Sequence, residues 1–296
     1  TILRFIMNEN YFFNTYVPKD LEKLPCFVCG CVDDVLIVIE NQLRIVRCSH
    51  CGYVFVNPRP NISGLNEFYR DYYADKEGLP ESWGGEMSAI FSSAYMHINS
   101  TKSDGRILDI GSSYGHFLSQ FDIAKWKTTG IDPSPTAVAY CRDKYPSITT
   151  HVASFEDVSL ELQSFDVITS FYVLEHVFDP RDVMQRIHGL LDQDGLAIIR
   201  IPYTKPFFPL ARMLGRPLMY APMHLNDFAP SHFERMCRDV GFSEVKTTIG
   251  ARRNSSDLVE KLGALIFGGA GGIYEALIPG SSHFPFAGAY TYVLAK

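Results

Sequence analysis

Two groups of residues in this sequence have types and spacing that could do chemistry. One is a pair of cysteine knuckles, Cys26-Phe27-Val28-Cys29 and Cys48-Ser49-His50-Cys51, each followed by glycine and separated by 18 residues. Two residues between thiolates let one tight turn aim both sulfurs at a single ion, and two such turns complete a tetrahedral set. Cys26, Cys29, Cys48 and Cys51 are therefore the expected ligands of a structural Zn2+. Four thiolates leave no open coordination position for catalysis. Two disulfides or buried free thiols are the alternative, and Cys31 and His50 lie close enough in sequence to substitute for a ligand. The other group is the run Asp109-Ile110-Gly111-Ser112-Ser113-Tyr114-Gly115, with Asp132-Pro133 downstream. Glycines at such a loop let the backbone pass close to a ligand, and the amides at the start of a helix are free to meet it. A carboxylate at the end of the next strand can accept both hydroxyls of a ribose.

These residues need elements to position them. Val35–Ile39 and Leu43–Arg47, joined by polar Glu40-Asn41-Gln42, are predicted as the hairpin of a zinc ribbon. From residue 105 apolar strands alternate with amphipathic helical stretches, the pattern of a parallel sheet covered on both faces. Strands are predicted near 106–110, 127–131, 148–152, 165–171 and 195–201, with two more at Val245–Thr248 and Tyr290–Leu294. Helices are predicted near 115–124, 134–144 and 180–192. The expected fold class is α/β, a Rossmann-like sheet with helices on both faces plus a small N-terminal zinc ribbon. The expected division is a ribbon over 1–60, a helical linker over 61–104, and a nucleotide-binding domain over 105–296. Two insertions interrupt that domain. One, about 202–229, is rich in proline and aromatics. The other, about 251–287, holds the apolar run Leu258–Phe267 and the glycine-rich Gly268–Gly272.

Composition narrows the function classes. The 296 residues are 46% hydrophobic and 20% charged, with a net charge of −6. Basic residues are scattered, and the ribbon sets Lys19, Lys23, Arg44 and Arg47 against five acids, so no phosphate-binding footprint is present and nucleic acid is an unlikely partner. No apolar stretch reaches the length of a transmembrane helix, and residues 1–6 lack a signal-peptide pattern, so a cytoplasmic location is expected. Met7 would suit a natural start, with residues 1–6 an upstream extension. A dinucleotide fingerprint would need glycine at 111, 113 and 116, where this chain has Gly, Ser and His, which disfavours a hydride-transfer enzyme.

The Asp109–Gly115 loop, Asp132, the Ala153-Ser154-Phe155-Glu156-Asp157 run, and Phe165 through Val177 with its Leu174-Glu175-His176 segment together resemble class I methyltransferases that use S-adenosylmethionine. The resemblance covers roughly residues 105–250. It implies that Asp109, Gly111, Ser112, Ser113, Gly115, Asp132 and Pro133 bind S-adenosylmethionine, with Gly111 and Gly115 against its methionine part and Asp132 on the ribose. Ser154 and Phe155 would border the adenine, and Phe171 would lie near the sulfonium. For both rings, ordinary core packing is the alternative. The ribbon, then Val56-Asn57-Pro58-Arg59-Pro60 and an aromatic Phe68–Tyr73 helix ahead of this domain, is similar to bacterial sugar and natural-product methyltransferases.

The resemblance leaves the acceptor open. His176, after the fourth strand, and His224, in Pro222-Met223-His224-Leu225-Asn226-Asp227, are the candidates to take a proton from it. For each, a histidine satisfied by backbone is the alternative. Ubiquinone-type O-methyltransferases hold a divalent ion near this segment with a second acid three residues before the glutamate. That place is Tyr172 here, so metal-independent chemistry is expected. The favoured acceptor is a small molecule: a sugar, sugar nucleotide or secondary metabolite, methylated at oxygen or carbon. An RNA methyltransferase and a non-catalytic binding module are the competing readings. The 251–287 insertion is expected to be a lid or a homodimer contact, with attachment to a lipid-linked acceptor as the other option.

Overall fold

Apolar strands with β-branched side chains assemble only when both faces are covered, and the chain supplies a helix for each face. The computed structural model describes residues 17–74, 80–251, 253–254 and 288–296. Residues 1–16 and nearly all of the second insertion, with Leu258–Phe267 and Gly268–Gly272, lie outside them. The N-terminal part holds strands β1 (Leu21–Glu22), β2 (Asp34–Glu40), β3 (Leu43–Cys48), β4 (Val54–Val56) and β5 (Arg59–Pro60). Helices α1 (Ile62–Ala74) and α2 (Pro80–Thr101) follow. The α/β part runs β6 (Gly105–Ile110), β7 (Trp126–Asp132), α3 (Pro135–Lys144), β8 (Thr149–Val152), β9 (Phe165–Phe171), α4 (Pro180–Leu190) and β10 (Leu191–Pro202). It continues through α5 (Phe208–Met213), β11 (Asn226–Asp227), α6 (Pro230–Val240), β12 (Glu244–Thr248) and β13 (Ala289–Ala295).

Seven strands form one sheet in the order β12-β13-β10-β9-β6-β7-β8. β8, β7, β6, β9 and β10 are parallel, and β13 runs antiparallel between β10 and β12. The chain leaves β6 toward β8, then returns to the other side of β6 for β9. The direction of winding therefore reverses between β6 and β9, and open α/β sheets bind ligands outside such a reversal. Met87, Ile90, Phe91 and Ile98 of α2 cover one face together with Phe117 and Phe171. Val183, Met184 and Ile187 of α4 and Phe233, Met236 and Cys237 of α6 cover the other.

The expected helix at 115–124 is absent: only a 3-10 turn at Leu118–Gln120 stands there. Asp122 closes that stretch early, its carboxylate accepting the Ala124 amide at 3.0 Å and its carbonyl the Trp126 amide at 2.8 Å. Phe117, Leu118 and Phe121 spend their apolar surface against α2, whose 22 residues fill the space a longer helix would need.

The ribbon is not a free module. β2, β3 and β4 form an antiparallel sheet whose fourth member is β11, drawn from the first insertion. The hairpin turn, Asn41 and Gln42, takes the two successive left-handed conformations that suit right-twisted strands. Cys26, Phe27, Val28, Cys48, Tyr53 and Phe55 share one buried cluster with α4 and α6.

Candidate functional site

The loop after β6 folds over the end of β7. Gly111 and Ser112 both donate their amides to the Ile131 carbonyl, at 2.8 and 3.0 Å, and Gly115 donates to Ser112 at 2.9 Å. Gly111, Ser113 and Gly115 all have positive φ, at 73°, 48° and 80°. Glycine is required at two of these positions for space as well. A Cβ on Gly111 would lie 2.4 Å from Cγ2 of Val173, and one on Gly115 would lie 2.4 Å from Sγ of Cys141. The amides of this loop belong to a turn rather than to the start of an α-helix. Above it, His116 reaches the Pro80 carbonyl at the start of α2 through Nε2 (2.9 Å) and the Tyr145 hydroxyl through Nδ1 (3.2 Å). That roof was not anticipated, because nothing in a helix preceding the motif announces what it covers.

Asp109 and Asp132 are both buried. Asp109 accepts the Thr169 hydroxyl at 2.7 Å, and burial pushes its carboxyl up to about 8, with Asp132 adding to the shift. Asp132 accepts the Ser113 amide on Oδ2 (2.8 Å) and the Ser134 amide on Oδ1 (2.9 Å). Each carboxylate oxygen has about two acceptor directions, so both keep one for hydroxyl donors. Burial raises the Asp132 pKa despite these two amides. Pro133 is exposed beside it, and Ser134 caps α3 by accepting the Ala137 amide. Ala153 donates its amide to the Asp132 carbonyl at 3.2 Å, which draws Ser154 and Phe155 to the same edge. The Ser154 hydroxyl donates to Asp157, and the Phe155 ring lies under the Arg186 guanidinium at 4.6 Å. Phe171 is different. Its ring is packed edge-on against Phe91 and Phe117, at 5.3 and 4.9 Å, so the core-packing alternative describes it.

Across the reversal point, the segment after β9 places Glu175 and His176 two and three residues beyond Val173, whose side chain faces Gly111. His224 arrives from the first insertion, with its ring 4.8 Å from that of His176. The His176 Nδ1 proton is donated to the Met223 carbonyl at 2.7 Å, which leaves Nε2 as the free acceptor, 3.7 Å from Oε1 of Glu175. Glu175 is 1% exposed, and its Oε2 has no hydrogen-bond partner among the described residues. Burial raises the Glu175 pKa to about 8 and lowers that of His176 to about 4, with His224 driven well down for the same reason. Both imidazoles keep an open side; the His176 side chain is 26% exposed.

The insertion is fixed by the ribbon. Arg59, fully buried, donates to the carbonyls of Val56, Phe178 and Leu225 and to Oδ1 of Asn226. Asn226 in turn donates to the Leu174 and Val177 carbonyls. Glu40 at the hairpin tip accepts the Leu218 and Met219 amides, and Asn41 donates to the Ala221 carbonyl. Sequence reasoning missed the clamping role of these residues, since a buried arginine satisfied by carbonyls from three segments leaves no local signal.

The four expected zinc ligands come together. Cys26 and Cys51 place their sulfurs 3.5 Å apart, Cys29 and Cys48 3.6 Å, and all four sulfurs lie within 4.8 Å of one another. Zn–S bonds of about 2.3 Å in a tetrahedron require sulfurs about 3.8 Å apart, so the set fits the ion. Gly30 and Gly52 turn at φ 75° and 81° beneath them. Cys31 lies outside the set, beside Asp33 and Ser49.

A family model described as a methyltransferase domain matches residues 88–247, from α2 through β12. The chain belongs to the methyltransferase-domain family. Among its relatives is a "Probable S-adenosylmethionine-dependent methyltransferase" of Mycobacterium tuberculosis, 25% identical over 139 residues, covering 47% of this chain and 49% of the relative. Another is the ubiquinone biosynthesis O-methyltransferase of Pseudomonas syringae pv. tomato, 28% identical over 160 residues, 50% of this chain and 68% of the relative. The chain thus spans about half the length of the first of these curated relatives. The fold also matches the phosphoethanolamine N-methyltransferase 2 of Haemonchus contortus in complex with S-adenosyl-L-methionine. That match has TM-score 0.52 at 14% identity, covering 82% of this chain and 62% of that one. The methyltransferase domain includes every expected cofactor contact from Asp109 to Phe171, whereas the ribbon lies outside the matched residues.

Proposed function

We propose that this S-adenosylmethionine-dependent methyltransferase methylates a small-molecule acceptor, a sugar, sugar nucleotide or related secondary metabolite, and that Zn2+ in the Cys26, Cys29, Cys48, Cys51 cluster braces the acceptor side. The observation that carries the reading is the pairing of two structures across the sheet reversal. On one side lies a glycine-dependent turn with Asp132. On the other, a histidine pair is held by an insertion that the ribbon clamps.

When bound, S-adenosylmethionine supplies an electrophilic methyl group on a sulfonium. In this reading Gly111 and Gly115 let the backbone approach the methionine part, and Asp132 takes the ribose hydroxyls on its two spare acceptor directions. The Ser154–Phe155 edge borders the base. Asp109 sits under the loop and gains a reason to ionise when a cation approaches. The acceptor lies against His176 and His224, where excluded water and fixed geometry do most of the work. A small acceptor needs no extended basic face of the kind RNA requires, in keeping with a net charge of −6. No helix among the described residues is long and apolar enough to cross a membrane.

The test is calorimetric titration with S-adenosylhomocysteine, followed by mass-spectrometric screening of sugar nucleotides and phenolic metabolites with S-adenosylmethionine present. Binding that Asp132→Ala abolishes, together with a gain of one methyl mass in an acceptor, is the expected result. Absence of binding, or binding indifferent to Asp132, would refute it.

A further inference from the structure

We propose that Glu175, His176 and His224 form a second metal site, one that holds a divalent transition-metal ion with open positions facing the acceptor. The inference rests on the acceptor-side reading above and goes beyond it by naming what the three residues hold.

One ligand atom from each of the three lies within 4.8 Å of the others. First-row divalent ions sit about 2.0–2.2 Å from such atoms, so small side-chain rotations close the set on an ion. Two imidazoles and one carboxylate on one side, with the remaining positions open, is the ligand set of iron, cobalt, nickel and zinc rather than of magnesium or calcium. His176 is already oriented for ligation. Its Nδ1–H is committed to the Met223 carbonyl, and the Tyr69 hydroxyl donates to the same oxygen at 3.0 Å. Nε2 is therefore the ligand atom, with the outer partner that metal-bound histidines usually have.

A second observation is independent of this geometry. Oε2 of Glu175 is buried with no partner among the described residues. An unsatisfied buried carboxylate oxygen is costly, and a coordinated cation removes the cost. The two ligand segments are also pre-assembled, because the Glu175 carbonyl accepts the amides of Leu225 and Asn226 at 2.7 and 3.1 Å, directly after His224.

The sequence pointed to metal-independent chemistry because Tyr172 stands where a local second acid would. The structure supplies the third donor from 48 residues downstream instead. A bound ion gives the cluster a chemical role in place of a local base. An acceptor hydroxyl in an open position becomes more acidic, and its proton leaves to solvent.

The experiment is titration of the purified full chain with Co2+, read by absorption and by metal analysis after dialysis. Thiolate-to-cobalt charge transfer reports the cysteine cluster, and a further equivalent that adds only weak d–d bands reports the histidine site. The expected result is one such further equivalent in the wild type, lost in both His224→Gln and Glu175→Gln, with S-adenosylhomocysteine binding kept in both variants. A wild type that takes up no Co2+ outside the thiolates, or variants that retain the further equivalent, would overturn the proposal. Loss of S-adenosylhomocysteine binding in the wild type would instead sink the methyltransferase reading and leave the cobalt result standing.

Discussion

Replacing Gly111 by alanine should cripple the donor site, and the structure says by how much. The residue sits at φ 73°, where an L side chain costs about 1–2 kcal/mol. Its new Cβ would lie 2.4 Å from Cγ2 of Val173, well inside van der Waals contact, and overpacking of this kind costs about 1–3 kcal/mol. The sum, about 2–5 kcal/mol, falls on the loop geometry that a ligand must meet. At about 1.4 kcal/mol per tenfold, binding of S-adenosylhomocysteine weakens from roughly thirtyfold to a few thousandfold. The two contributions separate experimentally. Val173→Ala removes the methyl that clashes and leaves the backbone cost alone, so the double variant Gly111→Ala/Val173→Ala should recover to within about five- to thirtyfold of the wild type. Calorimetry gives the dissociation constants, and thermal melting confirms that each variant is folded. If Gly111→Ala binds within about threefold of the wild type, or if Val173→Ala brings no recovery, the close approach of loop and β9 segment is not what the glycine serves.

Other outcomes follow from the same contacts. Asp109 has a folded pKa near 8, above the ordinary carboxylate value, so the folded state binds more protons than the unfolded one between about pH 4 and 8. Its contribution to stability is therefore largest below that window and falls as pH rises through it. Wild type should lose stability relative to Asp109→Asn from pH 5 to 8 in urea melts, and a flat difference would count against a raised pKa. A cation bound above Asp109 should release up to one proton near pH 7, visible as a buffer-dependent heat when S-adenosylmethionine is titrated. Chelation of Zn2+ should lower the melting temperature of the full chain in a single transition, because the knuckles share a core with α4 and α6; a separate ribbon transition would show independent modules. Arg59→Met leaves carbonyls of Val56 and Phe178 without their arginine donors, and at about 1–3 kcal/mol for each buried acceptor it should destabilise by about 3 kcal/mol in urea melts. Arg59→Lys should not restore this, since one ammonium cannot reach acceptors on three segments.

What was legible in the sequence was what local chemistry dictates. Strand periodicity, the Asp109–Gly115 loop and the paired knuckles each depend on residues within a few positions of one another. What was hidden depends on pairs far apart. β11 is two residues long, too short to show periodicity, yet it carries Asn226 into the ribbon sheet and thereby sets His224 against His176. The missing helix at 115–124 was lost to packing against α2, which also roofs the donor turn through His116. The histidine pair is thus a tertiary construction. Arg59, Glu40 and Asn41 of the ribbon hold the insertion, the insertion holds His224 and the Met223 carbonyl, and that carbonyl orients His176. With Zn2+ bound as proposed, the cysteine cluster in this arrangement would have a reason to exist that has nothing to do with gripping RNA. In the proposed reading, a few metal-bound cysteines replace the larger core that would otherwise be needed to fix the insertion, and the rigidity they lend is delivered to the side of the sheet reversal where the acceptor is proposed to lie.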